Sequence, residues 1–403
     1  MTTVAPHTTT RERLLSLDVF RGLTIAGMLL VNDPGTWSAI FPPLEHAEWH
    51  GWTPTDLIFP FFLFIVGITT HLSLSARRAR GDDDLGLIKQ ILRRGIIIYL
   101  LGFAMALFPF YQWGTIESIP NASAWDRIVW RIEHVRILGV LARIGIVYIC
   151  AGLLTVKTTL RQQIVIIAGL LFGYWFAMTL IPVPGENEIG ALLLHTKDRN
   201  LAAFLDRAIL GTNHTWSGSV TFDPEGPFST LPAIATAMLG VLAGRWIAQR
   251  DRPLLERIVG LFAVGSLGMV LGLMWNWSFP INKNLWTSSY VIFTAGMACV
   301  ALATIMWIVD HYNVKWWTKP FVVFGVNPIV AFVGSGVMAR LIYTLWHVNY
   351  SGASVSIQNA IYQIVFASWL PPRLASLGFA LGFVLLWYGI LLVLYKRKII
   401  LKV

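Results

Sequence analysis

The sequence predicts an all-α, polytopic membrane protein with about ten transmembrane helices and both termini in the cytoplasm, and three observations carry that expectation. The 403 residues are 56% hydrophobic and only 13% charged, and the mean hydropathy is +0.63, whereas soluble domains are about a quarter charged. The apolar residues are gathered into runs of the length that crosses a hydrocarbon core of about 30 Å, which takes about 20 residues of helix. They are not the alternating decamers of a membrane barrel. The basic residues, finally, recur in every second connection between these runs.

The runs lie at residues 17–33, 56–76, 95–111, 137–156, 163–182, 229–244, 254–276, 286–309, 320–343 and 374–395. The first, "SLDVFRGLTIAGMLLVND", carries Asp18 and Arg21 at i, i+3, hence on one face, and closes on Asn32 and Asp33. The second opens at "TPTDLIFP", where Asp56 either caps the helix or orients a histidine. The fourth, "RILGVLARIGIVY", places Arg136 and Arg143 on one face, with Arg143 expected near mid-membrane. Before the sixth comes "FDPEGPFSTLPA" with Asp223 and Glu225; before the eighth comes "PINKNLWTSSYV" with Asn282, Lys283 and Asn284. In the ninth, "GVNPIVAF" puts Asn327 before Pro328 and predicts an interrupted helix. A shorter amphipathic run, 357–370, ends at Pro371-Pro372 and reads as interfacial or re-entrant. We read 1–403 as a single domain, with outer loops at 34–55, 111–136 and 183–228.

With the N-terminus in the cytoplasm, the cytoplasmic segments hold 20 of the 31 lysines and arginines, from Arg11 and Arg13 to Lys402. That is the positive-inside pattern. It explains the net charge of +10 without nucleic acid. An even number of crossings returns the basic tail to the same side. The N-terminal residues show no signal-peptide cleavage pattern, so the first helix reads as an uncleaved anchor. Cys150 and Cys299 fall inside apolar runs and read as packing residues, not as a disulfide or a metal site.

On the opposite side stands "FPPLEHAEWHGWTPTDLIFPFFLF", residues 41–64, where His46 and His50 share a short lip with Glu45, Glu48 and Asp56. Ionisable groups at membrane helices are costly to keep there and mark function by default. A histidine beside carboxylates is suited to removing a proton from an attacking amine or hydroxyl. Together with the outer arginines and Lys283, this describes a polar cavity open to the outer side and a basic rim opposite. Two machines fit: a transferase working across the membrane, or a transporter of a polar solute or lipid-linked sugar. Walker, dinucleotide, HExxH and GxSxG motifs do not occur.

Five separated motifs resemble one known family. They are "RLLSLDVFRGLTIAGMLLVN", "LEHAEWHGWTPTDLIFPFFLFIVG", "RILGVLARIGIVY", "TFDPEGPFSTLPAIATAMLGVLAGR" and "PINKNLWTSSYV". The chain is similar to the heparan-alpha-glucosaminide N-acetyltransferase family of transmembrane acyltransferases, in what looks like a shorter microbial form. The resemblance implies transfer of acetyl from cytosolic acetyl-CoA to a glucosamine-type amine or hydroxyl on the far side, and a homodimer. It implies that His46 is the active-site histidine and Asn32 the catalytic asparagine, with a small insertion between them here. Asp56 or Glu45 would orient the His46 ring. Arg13 and Arg94 match residues that meet the CoA phosphates, and we group Arg143 with them. Glu45, Arg136, Asp223, Glu225, Asn282, Lys283 and Asn284 are the expected acceptor contacts.

Overall fold

The computed structural model describes residues 14–401. Local signals explain most helix boundaries. Helix α1 is Leu15–Asn32 and α2 is Pro54–Arg78, whose N-cap Thr53 forms a reciprocal capping box with Asp56. Helix α3, Asp84–Leu107, starts well before the apolar run at 95 because the Asp83 side chain accepts from Gly86 N–H and caps it there. The amphipathic α4, Ala124–Glu133, is followed by α5, Val140–Lys157, and α6, Leu160–Leu180. The single turn α7, Gly190–Leu193, and α8, Leu201–Leu210, lie in the connection to α9, Thr230–Ile247. Then come α10, Leu254–Trp275, and α11, Ser288–Ile305, which a π-helical turn extends to His311.

The run 320–343, read as one crossing, divides at Asn327 into α12, Lys319–Val326, and α13, Pro328–Arg340, the latter extended by a π-helical turn to Leu345. Pro328 lacks the N–H that would continue the ladder and disfavours helical geometry at the residue before it. The buried Asn327 side chain donates to Ile399 O (3.0 Å) and accepts from Leu401 N–H (3.0 Å), which ties the tail to the break. A hairpin follows: β1, His347–Tyr350, pairs antiparallel with β2, Ala353–Ser356. The run at 357–370 forms the short α14, Ile357–Ile361, and a π-helical turn through Ala367. Helix α15, Pro372–Lys396, ends the fold.

Among the described residues, ten helices are long and apolar enough to cross a membrane: α1, α2, α3, α5, α6, α9, α10, α11, α13 and α15 with their extensions. The chain is a multi-pass integral membrane protein. We call the end where α1 stops and α2 starts the upper end.

Close backbone approach joins α2 to α9, since a Cβ on Gly67 would stand 1.9 Å from Ala237 O and one on Gly240 would stand 2.1 Å from Phe64 O. Small residues let membrane helices approach this closely, and packing is what holds them together in lipid. Gly67→Ala is therefore expected to destabilise by about 1–3 kcal/mol, as overpacking does. Gly169→Ala, whose Cβ would meet nothing within 4 Å, is the control that leaves the unfolding midpoint unchanged.

The upper connections form a small core of their own. Trp49, Tyr174, Leu194, Leu201, Phe222, Phe279 and Leu285 are buried together. Trp49 Nε1 donates to Leu194 O (2.8 Å), Gly51 N–H to Ile281 O (2.8 Å) and Ile137 N–H to His214 O (3.2 Å). These bonds lock the loops after α1, α4, α6 and α10 against one another and create the platform on which the site stands.

Candidate active site

The lip after α1 is brought down onto the start of α2 by one carboxylate. Asp56, 1% exposed, accepts at Oδ2 from Ala47 N–H (3.0 Å), Thr53 N–H (3.0 Å) and the Thr53 hydroxyl (3.2 Å). Its Oδ1 lies 2.6 Å from His46 Nδ1. A carboxylate only accepts, so Nδ1 carries the proton, and in the neutral ring Nε2 keeps its lone pair. The His46 side chain is 46% exposed. Asp56 thus both caps α2 and holds the His46 ring.

Lys283 arrives from the loop before α11. Its Nζ stands 3.0 Å from both ring nitrogens of His46 and 3.7 Å from Asp56 Oδ1. Since Nδ1–H is given to Asp56, the ammonium can donate only at Nε2. Burial lowers the Lys283 pKa below the usual ammonium value, against the pull of Asp56 and Glu225. The loop itself is held by Asn282, fully buried: Oδ1 accepts from Leu285 N–H (2.9 Å), and Asn282 N–H donates to the Thr287 hydroxyl (3.0 Å). Asn282 therefore positions Lys283 from within the loop. Asn284 is half-buried beside it.

Behind Lys283 lies a buried charge cluster. Arg136 donates through Nε to Asp223 Oδ2 (2.8 Å), through Nη2 to Asp223 Oδ1 (2.5 Å), and also to Glu225. Burial works against the Arg136 charge, but Glu225 and Asp223 more than offset it and raise its pKa. Asp223 also accepts from Glu225 N–H (2.8 Å) and donates its own N–H to Asp206 Oδ2 (2.9 Å). Burial pushes the Asp206 carboxyl up to about 7.

Arg143, 0% exposed, donates to Gly226 O (3.1 Å) and to the Ser229 hydroxyl, and its guanidinium lies 5.2 Å from the Trp286 ring centroid. The sequence placed Arg143 near mid-membrane. Helix α5 begins only at Val140, because Leu138 and Gly139 belong to the loop, so Arg143 sits in the first turn, beside the upper loops. It is grouped with Glu225 and Asp223, apart from Arg94.

Arg94, from the middle of α3, packs its guanidinium 5.1 Å from the Tyr148 ring centroid on α5 and keeps a buried Nε without a protein partner. Arg13 lies outside the described residues. Asn32 is the last residue of α1, at the upper end, with an exposed side chain. The Glu45 carboxylate is exposed, while its carbonyl accepts from the Thr53 hydroxyl (2.6 Å).

Two polar groups escaped the sequence reading, and a third, Asp33, entered it only as the end of the first run. Asp33, next to Asn32, is 6% exposed, and burial raises its carboxyl to about 7; its only signal was adjacency to Asn32. Asp206 sits mid-helix in α8, with no local pattern to flag it. His195 lies 3.1 Å through Nδ1 from His50 Nε2, while His50 Nδ1 faces the Asn282 amide (3.4 Å). Burial, and then the His195 charge, lowers the His50 pKa to about 4.

The unfolded chain protonates His50 near pH 6.5 and the folded chain near pH 4, so this group removes stability as pH falls across that window. Asp33 and Asp206 act in the opposite sense, because their raised values add stability as pH falls below about 7. The His50 contribution is therefore isolated by difference. His50→Gln is expected to lose less stability than wild type between pH 6.5 and 4 in thermal unfolding series; parallel curves would deny His50 this role.

Among family models, no match is found. The chain is 29% identical over 440 residues to the mouse heparan-alpha-glucosaminide N-acetyltransferase and 28% identical over 441 residues to the human one. In each case 97% of this chain is covered, and it spans 61% and 60% of those proteins' lengths, about three fifths.

Proposed function

We propose that the chain, which is similar over 97% of its length to two heparan-alpha-glucosaminide N-acetyltransferases, is a transmembrane acetyltransferase. It takes acetyl from cytosolic acetyl-CoA and delivers it to an amine or hydroxyl of a glucosamine-type sugar on the other side of the membrane. The observation that carries this reading is the Asp56–His46 pair on a partly exposed lip.

In the proposed reaction His46 Nε2 accepts the proton of the attacking acceptor group. The new N–C or O–C bond forms at the thioester carbonyl, and the C–S bond breaks to release CoA, which takes up that proton as a thiol. Asp56 stabilises the imidazolium that forms in between. The amide N–H of Asn32, at the same end of the bundle, would donate to the carbonyl oxygen as it gains negative charge, a contribution of about 3 kcal/mol. Lys283 must leave Nε2 before the acceptor can reach it; its ammonium then remains beside the developing charge. Glu45, which is exposed, and Asn284, which is half-buried, would contact the sugar. The Arg136, Asp223, Glu225 and Asn282 group would shape the acceptor site from behind, with Arg143 buttressing it.

The donor end has its own support. Arg94 and Arg245 both carry a buried Nε with no protein partner. Guanidinium forks suit the phosphates of CoA, which the charge of the nucleotide keeps at the membrane face while the thioester arm reaches inward. The chain would act as a homodimer in the cytoplasmic membrane of a microbe, with its lip facing outward.

Purified protein in detergent tests this. A ligand that binds only the folded state raises stability by RT ln(1 + [L]/Kd), about 2.7 kcal/mol at 100-fold saturation. Acetyl-CoA is expected to raise the unfolding midpoint, and Arg94→Ala to weaken the apparent affinity by about tenfold, the loss of one charge-assisted contact. Glucosamine-dependent release of free CoA should vanish in His46→Ala. Failure of a folded protein to bind any acyl-CoA would overturn the reading and turn attention to solute transport.

A further inference from the structure

A polar cavity of about 350 Å³ lies at the upper end between α3, α13 and the loop before α5. Arg131, on α4, and Arg340, at the end of α13, both line it. Arg131 donates to Ala106 O (2.7 Å), Leu107 O (3.2 Å) and Phe108 O (3.2 Å), and Arg340 donates to the same Phe108 O (3.2 Å). Two guanidinium groups thus converge on one carbonyl. Neither has an acidic partner among the described residues. The third arginine in the wall, Arg136, is already matched by Asp223 and Glu225. Like charges this close repel unless an anion lies between them. Burial lowers the Arg131 pKa below its usual range.

The lining also carries hydrocarbon, from Met105, Leu141 and Phe332. The cavity is flanked by α3 and α13, the two membrane-spanning helices least covered by the rest of the chain among the described residues. A charged head and an apolar body meet in one space.

We propose that this cavity binds a phosphate group, held between Arg131 and Arg340, and that its carrier is a lipid whose chain lies on Met105, Leu141 and Phe332. Phosphate offers several oxygens to two separate forks, which a single carboxylate cannot do equally well. Ser217, also in the lining, adds a hydroxyl for the headgroup. This site is independent of the acetyl-transfer reading, and its test does not use acetyl-CoA.

Delipidated protein would be titrated with phosphatidylglycerol, with diacylglycerol of the same chains, and with inorganic phosphate, and the unfolding midpoint followed. Phosphatidylglycerol is expected to raise the midpoint by several degrees and diacylglycerol to leave it in place. Arg131→Gln/Arg340→Gln should lose most of the lipid-dependent shift. Arg131→Lys and Arg340→Lys, which keep charge but lose the fork, should retain an intermediate part and guard against a double variant that does not fold. Protection by inorganic phosphate equal to that by lipid would keep the phosphate site and overturn the lipid as its carrier. An equal lipid shift in wild type and the double variant, or no shift with any phosphate compound, would overturn the site itself.

Discussion

Asp56→Asn is expected to reduce acetyl transfer by about 10²–10⁴-fold, the range general-base catalysis supplies, while the protein stays folded. The substitution preserves shape. An asparagine carbonyl in the place of Oδ2 still accepts from Ala47 N–H and Thr53 N–H, so the cap of α2 survives. The amide group then faces His46 Nδ1, where Oδ1 stood at 2.6 Å. An amide N–H donates, so Nδ1 must accept and the ring proton moves to Nε2. The lone pair at Nε2 is lost, and with it the base. Binding of acetyl-CoA by thermal shift should be unchanged in this variant, which separates loss of chemistry from loss of fold. Full activity in Asp56→Asn would remove Asp56 from the mechanism.

Arg136→Met is expected to destabilise the protein by about 3–5 kcal/mol, because removing one partner of a buried ion cluster leaves the others uncompensated. Asp223 and Glu225 are both buried, and Arg136 is the cation that touches them both. Arg143 and Lys283 remain in the field of Glu225 but do not bond it. Adding Glu225→Gln to Arg136→Met should recover part of the loss, and the double-mutant cycle gives the coupling. Arg136→Lys should fall between, since an ammonium cannot offer the fork that engages both Asp223 oxygens. Unfolding midpoints in detergent decide it; a loss below about 0.5 kcal/mol, as at an ordinary surface position, would show the cluster to be solvated in practice.

The membrane helices were legible because their signal is local. A run of about 20 apolar residues and a capping residue before it lie within one stretch of chain. The errors fall where that signal is weak. Residues 84–94 of α3 are too polar to count as membrane helix, yet the Asp83 cap starts the helix there. Leu138 and Gly139 are apolar yet precede α5, and this moved Arg143 out of mid-membrane. The pairing of Asp56 with His46 was within reach because ten residues separate them and a short lip leaves few alternatives.

By itself, then, the sequence determined the all-α membrane architecture, the break at Asn327, the lip and the family resemblance. Lys283, 237 residues from His46 along the chain, becomes its neighbour only because the loop before α11 is clamped to the lip by Gly51 N–H and Asn282. His195, Asp206 and the convergence of Arg131 with Arg340 have the same origin. Helix formation follows from nearest neighbours and solvent, but which helices pack together depends on side-chain fit between distant segments. A charged residue's partner, and so its chemistry, is therefore decided only once the bundle has closed.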